Sequence, residues 1–152
     1  MVATAFIVGY DASVLAPTDA AAGASPGHMG WSHIQALARG GWSIESHTYD
    51  LHGTDGELLE HATPEQLAQD LHTEDRLLAA QVGEAPVAFA YPGGHAPAWA
   101  LPILRARYQA AFIEGARPVR FTDDRLLLPR YMVADSTNVR YPLRTALRIP
   151  WW

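Results

Sequence analysis

The chain has 152 residues, 49% of them hydrophobic, enough to bury roughly two thirds of its unfolded surface, so a single domain over 1–152 is expected. A net charge of −5, with acids and bases interspersed, leaves no Lys/Arg stripe that could release counterions, which argues against a nucleic acid partner. With no cysteine, disulfides and thiolate metal sites are excluded and any metal must sit on His, Asp or Glu; no apolar run approaches the roughly 20 residues that span a bilayer.

Ala3 to Val8 is a short apolar run of β-formers closed by Gly9 and reads as a buried strand. Met1 to Val8 lacks a basic leader and a cleavage site, so no export signal is expected here. A core strand with nothing before it is unusual, because end strands are normally blunted edges; it predicts a further strand upstream. Ala16 to Gly30, rich in Ala, Gly, Pro, Ser and Thr, reads as a surface loop. Residues Trp31, Ile34, Leu37 and Ala38 form a helical face, with Ser32 as expected N-cap and Gly40-Gly41 as the stop. That helix leads into the β-like run Trp42-Ser43-Ile44.

Directly after this run, Glu45-Ser46-His47-Thr48-Tyr49-Asp50-Leu51-His52 places two histidines five positions apart. Where a strand turns into a loop, that spacing can aim both imidazoles at one point, and imidazole is the commonest protein ligand for zinc-like metals. Two histidines make at most half of a four-coordinate site. Next, Thr63, Pro64 and Gln66 form a capping box for a helix whose Leu67, Leu71, Leu78 and Val82 share a face until Gly83. Pro86 to Tyr91 reads as a strand ended by Pro92-Gly93-Gly94, Pro97 to Arg107 as a helix, and Tyr108 to Ile113 as another strand. Leu126 to Val133 is the last expected strand and Val139 to Arg148 the last helix. This alternation predicts βαβ units in a mostly parallel sheet or barrel, with sites at the carboxyl ends of strands, where His47, His52 and the Pro92 turn fall.

The order of strand Thr4 to Gly9, helix end Ala38-Arg39-Gly40-Gly41-Trp42, Ser46-His47-Thr48 and Phe89-Ala90-Tyr91-Pro92-Gly93-Gly94 resembles the polysaccharide deacetylases, the NodB-homology fold of carbohydrate esterase family 4. Because the second histidine follows the first by five residues rather than four, the chain looks most similar to the branch that deacetylates poly-N-acetylglucosamine. The resemblance implies an α/β fold, a deformed (β/α) barrel lacking its first strand. It implies hydrolysis of an acetamide C–N bond in an N-acetylated glycan (poly-N-acetylglucosamine, chitin-like or peptidoglycan), in the cell envelope or outside the cell. It also implies a divalent metal, zinc foremost with cobalt, nickel or iron as alternatives, held by an Asp and two His, here His47 and His52. An oxyanion donor would come from a backbone amide in the Tyr91-Pro92-Gly93-Gly94 turn, which can survive Gly93 standing where many relatives carry a tyrosine.

The family's Asp-Asp pair, one general base and one metal ligand, lies in a strand before Thr4 and has no match here; Asp11 is a substitute carboxylate to consider. The late Leu-x-His motif is absent too, the strand reading Leu128-Pro129-Arg130-Tyr131, with Arg130 either a charge partner for a catalytic carboxylate or a strand-end charge. These departures keep a second reading open, a catalytically incomplete fold remnant or carbohydrate-binding module. Among the other candidates, His95 is retained for its closeness to the Gly94 turn, whereas His28, His33, His61 and His72 are given no role. Asp50 is expected to cap the turn between the histidines and Asp123-Asp124 to belong to a polar turn. Trp31, Trp42 and Trp99 are expected in the core and Trp151-Trp152 at the surface.

Overall fold

A computed structural model of the chain describes residues 3–15, 28–54 and 56–131. Most of the Ala16 to Gly30 loop, the end of the last strand at Met132 and Val133, the Val139 to Arg148 helix and Trp151-Trp152 lie outside the described residues. In chain order the elements are β1 (Thr4–Ile7), α1 (Trp31–Arg39), β2 (Ser43–Ser46), α2 (Glu57–His61), α3 (Pro64–Val82), β3 (Ala88–Ala90), α4 (Leu101–Arg105), β4 (Ala110–Glu114) and β5 (Leu128–Arg130), with a π-helical turn at Asp11–Leu15. The five strands form one sheet in the order β1-β2-β3-β4-β5, every neighbouring pair parallel.

Local chemistry sets the element ends. The capping box starting α3 is complete: Thr63 Oγ1 accepts from the Gln66 amide at 3.2 Å and Gln66 Oε1 accepts from the Thr63 amide at 2.7 Å. In α1 the expected cap is corrected, for Gly30 occupies the N-cap and Ser32 lies inside the first turn. Strand β3 is shorter than the expected Pro86 to Tyr91 because the buried Glu45 carboxylate takes the Val87 and Ala88 amides, both at 2.7 Å, where a ladder would otherwise begin. The expected Pro97 to Arg107 helix is instead a 3₁₀ turn followed by α4, since Pro102 fits only a first helical turn. The Tyr108 amide still reaches back to Leu104 O at 2.8 Å, which delays β4. Helix α2 is unforeseen in the sequence.

Across three strand steps a flat sheet would separate β1 from β4 by about 14 Å. Yet the rings of Phe6 on β1 and Phe112 on β4 lie 5.6 Å apart, and the guanidinium of Arg130 on β5 lies 5.7 Å from the Phe6 ring. The sheet is therefore curled, with these side chains inside the curl, as in a partly closed barrel. Its outside is covered by helices. Leu67 and Leu71 of α3 join Phe89, Tyr91 and Leu104 in one core cluster, while Leu78 of the same helix joins Ile7, Ile34 and Ile44 in a second. Trp31 and Trp99 are partly buried beside these clusters, whereas Trp42 is exposed, a correction to its expected core position. No helix among the described residues is long and apolar enough to cross a membrane.

Candidate metal centre

His47 follows the last residue of β2, and the loop it opens carries His52 back beside it: the ring centroids lie 4.9 Å apart, at 69°. His47 Nδ1 sits 2.6 Å from Ala90 O, at the end of β3, and His52 Nδ1 sits 2.6 Å from Gly53 O. A carbonyl only accepts, so each Nδ1 must carry a proton, and in the neutral imidazole it is Nε2 that keeps the lone pair. Fixing the tautomer through Nδ1 is how metal-binding histidines are usually oriented. Burial pushes the His47 pKa down to about 4, against its bond to Ala90 O, with His52 and Arg130 adding to the fall. The ring is thus neutral at pH 7, the form a cation requires.

The loop between the histidines is strained and braced. Thr48 is fully buried with φ 74°, the left-handed region that β-branched residues avoid. On one side the loop is tied to the chain after β1, with Gly9 N donating to Thr48 O at 3.3 Å and Tyr10 N to Tyr49 O at 2.9 Å. On the other, Asp70 of α3 accepts from the Tyr49 and Asp50 amides, both at 2.8 Å. The expected cap is thereby corrected: Asp50 is exposed, and it is Asp70 that caps this turn.

In the Pro92 turn, the Tyr91 amide donates to Phe112 O at 3.0 Å, Pro92 has no N–H, and the Gly94 amide donates to Tyr91 O at 2.9 Å. Of the turn expected to supply an oxyanion donor, Tyr91, Pro92 and Gly94 therefore offer position only. The Gly93 N–H alone makes no hydrogen bond among the described residues, and Gly93 has φ 61°, which glycine adopts at no steric cost. Tyr91 points its ring into the core, edge-on to Phe89 at 5.2 Å.

Arg130 lies near enough to His47 to depress its basicity and is without a carboxylate partner among the described residues. Asp11 is not brought to the histidines; its carboxylate faces His28 Nε2 at 3.4 Å. His95 is exposed just past the Gly94 turn. Asp123 and Asp124 form the expected polar turn, accepting from Arg117 and Arg105 respectively. Among the described residues no third His, Asp or Glu joins the histidine pair. The site therefore fits a divalent cation as a two-imidazole half-site, with the remaining positions left to water, substrate or a carboxylate beyond the described residues.

A family model described as polysaccharide deacetylase matches residues 1–108. No curated protein sequence matches the chain. Among solved structures, the fold is similar to the Streptococcus pyogenes deacetylase PplD in complex with acetate, at TM-score 0.73 and 19% identity over 94% of this chain and 57% of that one. It is similar to IcaB from Ammonifex degensii, at TM-score 0.71 and 20% identity over 94% of this chain and 61% of that one. A family 4 acetyl xylan esterase from Clostridium thermocellum in complex with a cobalt ion matches at TM-score 0.51 and 13% identity, covering 97% and 69%. The chain thus spans little more than half the length of PplD.

Proposed function

The chain belongs to the polysaccharide deacetylase family, and from that premise we propose that it takes part in metal-dependent hydrolytic N-deacetylation of an N-acetylated polysaccharide, poly-N-acetylglucosamine foremost. The observation that carries this reading is the pair of imidazoles, ring centroids 4.9 Å apart, whose Nδ1 atoms are both engaged with carbonyls, so that Nε2 is the nitrogen each can offer to a cation. A divalent cation there, zinc by preference or cobalt, nickel or iron, supplies Lewis-acid polarisation of the acetamide carbonyl and a water of lowered pKa. His47 and His52 hold it. The Gly93 N–H donates to the oxygen that becomes negative as the carbonyl is attacked; one such donor is typically worth about 10²–10³-fold in rate. Arg130, at the end of β5, offers a positive charge for a catalytic carboxylate to pair with. The two core clusters, bridged by α3, support reading the described residues as one domain, and the single domain over 1–152 is part of this proposal. This reading puts the substrate in the cell envelope or outside the cell.

The cobalt-loaded chain should release acetate from N-acetylglucosamine oligomers, and His47→Ala should reduce release to background. Equal release by the variant would contradict the ligand assignment. A second reading, glycan binding without turnover, is favoured by the missing third ligand among the described residues. It would show as oligomer binding that survives EDTA, with no acetate formed.

A further inference from the structure

The two-imidazole half-site can exist only if the loop between His47 and His52 keeps its shape, and that shape is locally unfavourable. A threonine in the left-handed region costs about 1–2 kcal/mol relative to its usual conformations, so the surroundings must impose it. After such a residue, successive backbone N–H groups point the same way and form a small concavity suited to an anion. Here the anion is a side chain: the two carboxylate oxygens of Asp70 each take one amide, Oδ1 from Tyr49 and Oδ2 from Asp50, at 2.8 Å. Asp70 is itself almost wholly buried, on the face of α3 that also carries Leu67, Leu71 and Glu74. The helix and the loop are thus fastened by one carboxylate about twenty residues away in sequence, and α3 is itself anchored by Leu67, Leu71 and Leu78 in the two core clusters, with Leu51 of the loop packed against the first of them.

We propose that Asp70 is a positioning residue for the metal site: by filling the amide concavity of the loop it holds Thr48 left-handed and keeps His47 and His52 in register for one ion. The proposal deepens the reading of the two histidines as ligands and rests on it. Asparagine at this position has one acceptor oxygen rather than two and turns an N–H₂ toward one of the amides, leaving that donor unpaired in a buried place. The loop then relaxes, and the rings separate.

The test uses the full chain with cobalt as probe. Asp70→Asn should weaken cobalt binding by about 10–100-fold, as loss of outer-shell partners typically does, and should change the visible cobalt spectrum, which reports ligand geometry rather than stability. In metal-free protein the imidazole resonances of His47 and His52 should shift while those of His33, His61 and His95 stay. In the wild type the Tyr49 and Asp50 amides should exchange slowly with solvent, a check that needs no variant. Unchanged cobalt affinity and unchanged His47 and His52 resonances in Asp70→Asn, or fast exchange at both wild-type amides, would overturn the role of Asp70. Failure of wild-type chain to bind cobalt, with the resonance shifts still seen, would instead remove the ligand assignment and leave the bracing of the loop standing.

Discussion

Glu74→Gln is expected to stabilise the protein at neutral and alkaline pH and to flatten the fall of its stability with rising pH. Glu74 is wholly buried on α3, its carboxyl set against the Gly9 backbone, whose amide only partly offsets the burial, and no side chain among the described residues hydrogen-bonds it. Burial first, then the charges of Asp70 and Asp75, pushes its pKa from 4.5 up to about 9. Below pH 4.5 the group is protonated whether the chain is folded or not, and its contribution to stability is fully present. As pH rises from there toward about 9, the unfolded chain ionises freely while the folded chain must keep the proton, so stability drains away across that window. Each unit of separation corresponds to about 1.4 kcal/mol, so the total reaches several kcal/mol, a large part of the stability of a domain this size. Glutamine keeps the shape and never ionises. Urea unfolding of both proteins from pH 4 to 9 should give curves that meet at the acid end and diverge steadily above it. Parallel curves, or a variant less stable than the wild type at pH 8, would mean that the buried carboxyl is charged and partnered.

Gly56→Ala should be the most damaging single-methyl change near the site. Gly56 caps α2 with φ 84°, and its Cα rests against the Pro92–Gly93 peptide: an added Cβ would meet the Pro92 carbonyl and come within 2.8 Å of Gly93 N. Backbone cannot swing aside as a long side chain would, so the turn must move. Left-handed strain of about 1–2 kcal/mol and overpacking of about 1–3 kcal/mol together give a loss of roughly 2–5 kcal/mol. Gly83 supplies the control, because it too has positive φ, 89°, but a Cβ there meets nothing within 4 Å. Gly83→Ala should cost about 1 kcal/mol, from conformation alone. The Gly93 amide resonance should shift in the first variant and not in the second. Equal losses from the two substitutions would show that the contact with the turn contributes nothing.

Most of the scaffold was legible in the sequence because it is written in local signals. The Thr63-Pro64-Gln66 box, the apolar β1 and the Gly40 and Gly83 stops act within a few residues of themselves, and they appear where the spacing puts them. The pairing of His47 with His52 was legible for the same reason. What the spacing could not show was long-range. Asp70 and Glu74 occupy the same helical face as Leu67, Leu71 and Leu78, so two acids stand on an apolar stripe; that conflict was the available signal for buried polar work. Asp50, beside the histidines, drew the capping role that Asp70 performs across twenty residues of chain. Asp11 was near in sequence and is turned to His28 in space. The narrowing of the oxyanion turn to Gly93 likewise needed the sheet, since only β4 pairing reveals that the Tyr91 amide is already engaged.

Calorimetric titration of the full chain with zinc and with cobalt, beside His47→Ala/His52→Ala, decides whether the two lone pairs do hold an ion. Saturation near one equivalent in the wild type, absent in the double variant, is the expected result. No heat of binding in either protein, or the same isotherm in both, would contradict the assignment of these histidines.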